Sequence, residues 1–426
     1  LVFLLVLGIQ LGRLAFELSQ SRLAQTAGIL AVAIAPSLAF SGASGMEVSL
    51  AALCLTASVR AFLKGADLRA GFLAGLAGLS RPELGLAPLV YLVVVALRRQ
   101  GVAARAKAAL RIVVWPIIGA AAWCTYCFVV TGRPLPNTFY AKFGPSMPWG
   151  PRLEYLFERI LFSTHAPFPD PGGIVWVACW VVCFIAGVGV SRRGPEQKRA
   201  IAFVLTFLVV SVATLIGTHE LRGSILFYYQ RYFYPVTALG VVVVAIGVGQ
   251  LAAALSKWLP KRLAATLVLI LATAAAAPSW LSARASYAGH CAQIRALHTE
   301  PALALFRQSR SDARVGAEGA GSVRYHSERT VIDLLGLNFF ELAHHLDDPD
   351  SRVCLLVNSD MNLVVVPSFW LEQLAPVFDY RVLEVYRVGE SAMSAEGGEV
   401  TVVLAAVAAR EGMPEACRAR AAISNE

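Results

Sequence analysis

The sequence predicts an α-helical polytopic membrane protein with a C-terminal soluble α/β domain. Of its 426 residues, 57% are hydrophobic and only 15% are charged, and the mean hydropathy is +0.61. These values are typical of a chain that lies largely in lipid. A net charge of +9 would suggest nucleic acid binding in a soluble protein. Here the Lys and Arg residues lie mostly in short loops between apolar runs, where they set membrane orientation. We therefore expect membrane lipid and no nucleic acid as a partner.

Apolar runs along residues 1–282 predict about ten membrane segments. A helix needs about 17 to 25 apolar residues to cross a bilayer, and two shorter runs are interpreted as a hairpin closed around Ser80-Arg81-Pro82-Glu83. The long runs are 1–18, 23–41, 46–63, 110–131, 173–191, 200–217, 234–255 and 262–281, and the two short ones are 69–79 and 84–98. The first run begins at Leu1 without an initiator Met, so we expect this sequence to be a fragment preceded by an outer loop and at least one helix.

The basic residues predict the orientation of these segments. They cluster in alternate loops, and loops rich in Lys and Arg are cytoplasmic. Strict alternation then places four other segments on the outer face, together with the C-terminal domain. The basic loops are 64–69, 98–111, 192–199 and 257–262, and the four outer segments are 41–47, 80–83, 132–172 and 218–233. We therefore expect the C-terminal domain on the extracytoplasmic side of the membrane.

Residues 283–426 change to the pattern of a soluble α/β domain. Turn residues separate short β-rich runs, and an extracytoplasmic location would permit one disulfide among Cys291, Cys354 and Cys417. A helix is predicted at 298–309, and strands are predicted at 313–317, 353–357, 362–366, 380–388 and 400–408.

Two Ser-x-x-Glu motifs, at Ser44 with Glu47 and at Ser80 with Glu83, match the capping box at a helix N-terminus. Capping alone would explain both glutamates. The same helix ends would also favour an anion such as phosphate, because free N–H groups and the positive end of the dipole meet there. Arg81 could hold a phosphate bidentately or could extend to lipid headgroups.

The remaining candidates lie in the predicted outer loops. Asn137 offers directional hydrogen bonds, Lys142 adds charge among aromatic side chains, and Arg231 lies in an aromatic run that suits either an interface anchor or a phosphate contact. His219 and Glu220 could act in acid/base chemistry. No cofactor is certain from these residues. The tail residues His344, His345, Asp347, Asp348 and Asp350 would suit either a divalent cation or a solvated acidic loop.

Four of these motifs, in this order, resemble the GT-C superfamily of polytopic membrane glycosyltransferases. The likeness is greatest to the group of the mycobacterial terminal arabinofuranosyltransferase and its uncharacterised bacterial relatives, and the tail segment 315–337 is also similar to that group. The motifs are Ser44-Gly45-Met46-Glu47, Ser80-Arg81-Pro82-Glu83, the run 135–142 and Arg231-Tyr232-Phe233-Tyr234-Pro235.

The resemblance implies transfer of a sugar from a polyprenyl-phosphate donor to a glycan or other acceptor on the outer face of the bacterial cytoplasmic membrane. The family's base is an aspartate in the first outer loop, which would lie upstream of Leu1, and this leaves Glu47 as a second acidic group. On this hypothesis Arg81 and Arg231 bind the donor phosphate. The sugar or acceptor cleft is lined by Glu83, Asn137, Lys142, His219 and Glu220. A transporter or flippase of lipid-linked sugars and a non-catalytic scaffold with an extracytoplasmic binding domain are the alternatives.

Overall fold

The computed structural model divides the chain into two compact units. The first contains Leu1–Thr125 and Met147–Ala285, and the second contains Tyr126–Ser146 and Ser286–Glu426. The predicted domain boundary after residue 282 stays a prediction. The structure describes residues 1–35, 38–39, 42, 47–97, 101–141, 182–183, 185–186, 195–219, 234–345, 348–389, 399–413, 415 and 417.

Helices occupy most of the predicted apolar runs. The short predicted hairpin is present as two helices joined by one 3₁₀ segment, Pro82–Leu86. The helices are α1 Val2–Ser19, α2 Arg22–Ile34, α3 Val48–Leu63, α4 Asp67–Ser80, α5 Ala87–Ala96, α6 Val102–Thr131, α7 Asn137–Ala141, α8 Pro195–His219, α9 Tyr234–Leu255 and α10 Lys261–Ile294.

Three helices within the described residues are long and apolar enough to cross a membrane: Val2–Ser19, Val102–Thr131 and Pro235–Leu255. Shorter apolar helices accompany them, among them Arg22–Ile34 and Val48–Leu63. The count of about ten segments stays a prediction. Most of the run predicted at 173–191 lies outside the described residues.

Glycines let the first helices approach closely. A Cβ added to Gly12 of α1 would lie 2.6 Å from the Gln25 carbonyl oxygen of α2, and one added to Gly28 would lie 2.9 Å from the Cα atom of Gly12. Small residues at such crossings allow the backbone contact by which helices associate in lipid. Any larger side chain at Gly12 would push α1 and α2 apart.

A buried hydroxyl pair fixes the hairpin of α4 and α5 against α3. The Ser58 hydroxyl donates to the Ala70 carbonyl at 2.7 Å, so the Tyr91 hydroxyl, 2.8 Å away, donates to Ser58. The Phe62 ring stacks on the Tyr91 ring with centroids 4.4 Å apart. Ser58 and Tyr91 are fully buried, and a buried polar group is stable only when it is hydrogen-bonded. These contacts set where the turn between α4 and α5 lies relative to the start of α3.

The second unit contains a five-stranded mixed sheet in the order β2-β1-β3-β5-β4. Strand β1 is parallel to β2 and β3, and β5 is antiparallel to β3 and β4. A π-helical turn, Arg295–Thr299, leads into the domain. The elements are α11 Glu300–Gln308, β1 Arg314–Ala317, α12 Ala320–Ser327, β2 Thr330–Asp333, α13 Phe340–Ala343, α14 Pro349–Val357, β3 Leu363–Pro367, α15 Ser368–Leu374, β4 Phe378–Val388 and β5 Val400–Ala409.

The predicted secondary structure of this unit is right in four strands and wrong in one. The run 353–357 is the end of helix α14 rather than a strand. Asp348 caps that helix by accepting hydrogen bonds from the Asp350 and Ser351 amides, and Pro349 follows it at the first helical position. The strand β2 was not predicted. The structure confirms one disulfide, between Cys354 and Cys417, and leaves Cys291 as a free, exposed thiol.

Candidate functional site

Arg81 lies in the turn between α4 and the 3₁₀ segment. Pro82 follows it, and the residue before a proline is pushed out of the helical region. Arg81 accordingly has φ −148° and ψ 109°, and α4 ends at Ser80. The side chain of Arg81 is only 4% exposed. The local sequence therefore ends α4 at this point, and the charged side chain of Arg81 lies in the protein interior.

Two glutamates from different elements contact the Arg81 guanidinium. Its Nη1 atom lies 2.9 Å from Oε1 of Glu47, which directly precedes α3, and its Nε atom lies 2.5 Å from Oε1 of Glu83 in the 3₁₀ segment. Charge-assisted hydrogen bonds of this kind are stronger than neutral ones. The Glu83 side chain is 9% exposed and the Glu47 side chain is 48% exposed. The structure thus brings together three predicted site residues, of which only Glu47 is widely open to solvent.

The predicted capping box at Ser80 and Glu83 is wrong. Ser80 is the last residue of α4, and its hydroxyl donates to the Leu76 carbonyl at 2.9 Å. Glu47 occupies the N-cap position of α3 but makes no side-chain capping bond, and Ser44 lies outside the described residues. The reason is physical: a buried guanidinium is a stronger partner for a carboxylate than a neutral backbone amide.

Asn137, which begins α7, belongs to the second unit. Its Oδ1 atom is buried and has no hydrogen-bond partner among the residues that the structure describes, and the same holds for Nε2 of His344. The His344 ring packs between Tyr140 and Phe340, with centroids 4.5 Å from each. Burial, then the nearby charges of Arg133 and His345, lower the pKa of His344 below its usual value. The imidazole is therefore neutral at pH 7.

His344, one of the predicted cation ligands, packs against aromatic side chains in the structure. Its ring lies in an aromatic cluster next to a helix that carries Asn137. Within the part of the chain that the structure describes, no three His, Cys, Asp or Glu side chains are grouped to hold a metal ion. Asp347, one of the predicted cation ligands, lies outside that part.

Of the other predicted site residues, the structure describes one, His219. His219 is the last residue of α8. Lys142, Glu220 and Arg231 lie outside the described residues. Their roles stay predictions.

A second ionic cluster, at the other end of α3, was not predicted as a unit. Arg60 holds both carboxylate oxygens of Glu17 in α1, with Nε 2.9 Å from Oε1 and 3.0 Å from Oε2. The Lys64 ammonium lies 2.7 Å from the same carboxylate, and Gln10 accepts from Nη1 of Arg60 at 3.1 Å. The signal was an ionisable residue inside each of two apolar runs, Glu17 in 1–18 and Arg60 in 46–63, because such residues usually pair.

Comparisons with known proteins show which solved structures have a similar fold. Residues 290–403 match a family described as Domain of unknown function (DUF8728). No curated protein matches the chain. The chain is similar to the crystal structure of ArnT from Cupriavidus metallidurans in the apo state, with a TM-score of 0.55 and 14% identity. It is similar also to the crystal structure of ArnT bound to undecaprenyl phosphate, with a TM-score of 0.54 and 15% identity.

Both matches cover 94% of this chain and 83% of the ArnT chain. At this level of identity the likeness shows a shared fold. ArnT is a GT-C glycosyltransferase, so the fold agrees with the one that the sequence resemblance implied. The narrower likeness to the mycobacterial group stays a prediction.

Proposed function

We propose that the protein transfers a sugar from a polyprenyl-phosphate donor to a glycan or other acceptor of the cell envelope, at the outer face of the bacterial cytoplasmic membrane. Three observations support this proposal: the ArnT-type fold, the binding of undecaprenyl phosphate by ArnT itself, and the cluster of Glu47, Arg81 and Glu83. The cluster carries most weight, because it joins a buried cation to a solvent-accessible carboxylate.

The reaction needs two kinds of charged group. When an acceptor hydroxyl attacks the anomeric carbon, the bond from that carbon to the phosphate oxygen breaks and polyprenyl phosphate leaves with an additional negative charge. A fixed cation stabilises that developing charge. A carboxylate takes the hydroxyl proton as the new glycosidic bond forms.

This chemistry gives each predicted site residue a proposed role. Arg81 and Arg231 bind the donor phosphate, since a guanidinium matches two phosphate oxygens at once. Glu47 is the acidic group that meets the acceptor, because it is the more exposed carboxylate of the cluster. Glu83, in this proposal, holds the guanidinium in place from the buried side. Asn137, Lys142, His219 and Glu220 line the sugar or acceptor cleft.

The disulfide supports the proposed location of the second unit. Disulfides persist in oxidising compartments and are rare in the bacterial cytoplasm, so the bond between Cys354 and Cys417 favours an extracytoplasmic C-terminal domain. The same orientation follows from the basic loops predicted to be cytoplasmic.

Turnover of a labelled lipid-linked sugar tests the proposal. The purified protein is incubated with a set of polyprenyl-phosphate sugars and an envelope glycan acceptor, and free polyprenyl phosphate and labelled glycan are measured. We expect both products with the wild type and at least about a hundredfold less with Arg81→Met, a loss in the range found when one charge-stabilising group is removed. Glu17→Gln is the matched control, since it removes a carboxylate from an arginine at the other end of α3.

The alternative functions predict different experimental results. Movement of the lipid-linked sugar across proteoliposomes without bond cleavage would identify a flippase. Binding without either activity would identify a scaffold. Equal turnover by the wild type and Arg81→Met would remove Arg81 from the mechanism.

A further inference from the structure

Within the described part of the chain, Glu47 and Glu83 both contact Arg81, and these two carboxylates are not equivalent. Glu83 lies two residues further along the same turn and is almost as buried as the guanidinium itself. Glu47 comes from a different part of the chain, is about half exposed, and reaches Nη1 through one oxygen at 2.9 Å. A solvated anion can therefore approach Arg81 from the side of Glu47 more readily than from the side of Glu83.

We infer that Glu47 occupies, on the Arg81 guanidinium, the position that the donor phosphate takes when it binds, and that this exchange releases Glu47 to the acceptor. The inference rests on the proposed function. It adds a coupling between donor binding and the carboxylate that meets the acceptor hydroxyl.

The exchange follows from the cost of burying a charge. A guanidinium removed from water must keep hydrogen-bonded anions around it. Carboxylate and phosphate oxygens are both suitable, and phosphate can accept two parallel N–H bonds from one guanidinium. Glu83 already balances the charge of Arg81, so Glu47 adds one negative charge to the site. The singly charged phosphodiester of a donor that replaces Glu47 therefore leaves the charge around Arg81 unchanged.

The position of Glu47 in the chain favours its release from Arg81. It directly precedes α3, where the free N–H groups and the positive end of the helix dipole favour a negative side chain even without a paired arginine. The released carboxylate stays near the reaction site. There it can accept the proton of an acceptor hydroxyl as the anomeric carbon–phosphate oxygen bond breaks. Donor binding and activation of the acceptor are then ordered: donor first, acceptor second.

Direct binding of undecaprenyl phosphate tests this exchange. The dissociation constant is measured in detergent for the wild type, Glu47→Gln and Glu17→Gln, with thermal unfolding as a check that each variant is folded. We expect Glu47→Gln to bind at least about fivefold more tightly, which corresponds to roughly 1 kcal/mol, because the carboxylate that competes with the phosphate for Arg81 is removed. The same variant should transfer sugar more slowly than the wild type. Glu17→Gln should bind as the wild type does.

The expected result for Glu47→Gln is tighter phosphate binding together with slower sugar transfer. If Glu47 only stabilised the fold, its replacement would weaken the binding and slow the transfer. Unchanged or weaker binding by Glu47→Gln, with normal binding by the wild type, overturns the exchange and leaves the proposed function intact. Absence of binding by the wild type overturns both. Glu47→Asp is a second variant in case Glu47→Gln does not fold: its shorter side chain withdraws from Arg81, so it too should bind the phosphate more tightly.

Discussion

The two ends of helix α3 carry ionic clusters of opposite composition. At its start, one arginine, Arg81, is shared by two carboxylates. At its end, one carboxylate, Glu17, is shared by Arg60 and Lys64. Glu47 and Arg60 are 13 positions apart, so the two clusters are separated by about 20 Å along α3 at 1.5 Å per residue. Among the described residues, three charges therefore meet at each end of α3, with the signs exchanged between the two ends.

Burial distinguishes the two clusters further. The Arg81 side chain is 4% exposed, whereas the side chains of Arg60 and Lys64 are 21% and 53% exposed. Water screens the charges of an exposed pair and makes them nearly independent of one another. A buried pair depends strongly on both partners, because a remaining unpaired ion is costly. The difference supports the proposal that the Arg81 cluster is a binding site, whereas the Glu17 cluster joins α1 to α3.

Replacing Arg81 should have the largest effect. Arg81→Met keeps an apolar stem of similar length but leaves the Glu83 carboxylate buried without its cation, which costs about 3–5 kcal/mol for a buried pair. We expect a strongly lowered midpoint of thermal unfolding in detergent as well as loss of sugar transfer. Arg81→Lys should recover part of the stability, because its charge remains, and less of the transfer, because a lysine cannot bond a phosphate in the same fork geometry. An unchanged unfolding midpoint in Arg81→Met would contradict the importance of burial.

The buried hydroxyl pair between the two clusters gives a smaller effect. Ser58→Ala leaves the Tyr91 hydroxyl without its acceptor in a fully buried position, and an unsatisfied buried group costs about 1–3 kcal/mol. Tyr91→Phe removes the donor instead and leaves Ser58 bonded to the Ala70 carbonyl, so it should cost less. Thermal unfolding of the two variants measures this order. The reverse order would show that the hydroxyl pair does not hold the hairpin to α3.

Glu17→Gln should destabilise the protein by about 1 kcal/mol or less, the usual range for a partly exposed ion pair. It should not change sugar transfer, because Glu17 lies at the opposite end of α3 from Arg81. Unfolding in low and high salt gives the measurement, with a smaller difference between wild type and variant at high salt since ions screen exposed charges. A loss of transfer comparable to that of Arg81→Met would remove the contrast between the clusters.

Lys64→Ala should have the smallest effect. The Lys64 side chain is half exposed and Glu17 keeps its contact with Arg60, so we expect a change of a few tenths of a kcal/mol at most. Urea or thermal unfolding of this variant beside Glu17→Gln checks the order. A larger loss in Lys64→Ala than in Glu17→Gln would mean that the lysine, and not the arginine, stabilises that end of α3.

Much of the helical unit could be predicted from local sequence. The apolar run 46–63 became Val48–Leu63, and the run 234–255 became Tyr234–Leu255. The turn at Ser80-Arg81-Pro82-Glu83 also lies where Pro82 predicted it. Such features depend on residues that are close in sequence. The length of an apolar run sets the length of a membrane helix, and a proline affects only the residues near it. The run 353–357 was misread since a short apolar run fits a strand or a buried helix equally well.

The candidate site was only half predictable. The sequence alone singled out Glu47, Arg81 and Glu83 and predicted that they lie on one face of the membrane. It left open whether the two glutamates cap helices or belong to a site, and it did not predict that both contact Arg81. Which partner a charged side chain chooses depends on the packing of helices that are distant in sequence, and Glu47 and Arg81 are 34 positions apart. The tertiary structure alone decided that one buried guanidinium joins both glutamates. The physical reason is desolvation: once packing had buried Arg81, the nearest carboxylates had to neutralise it.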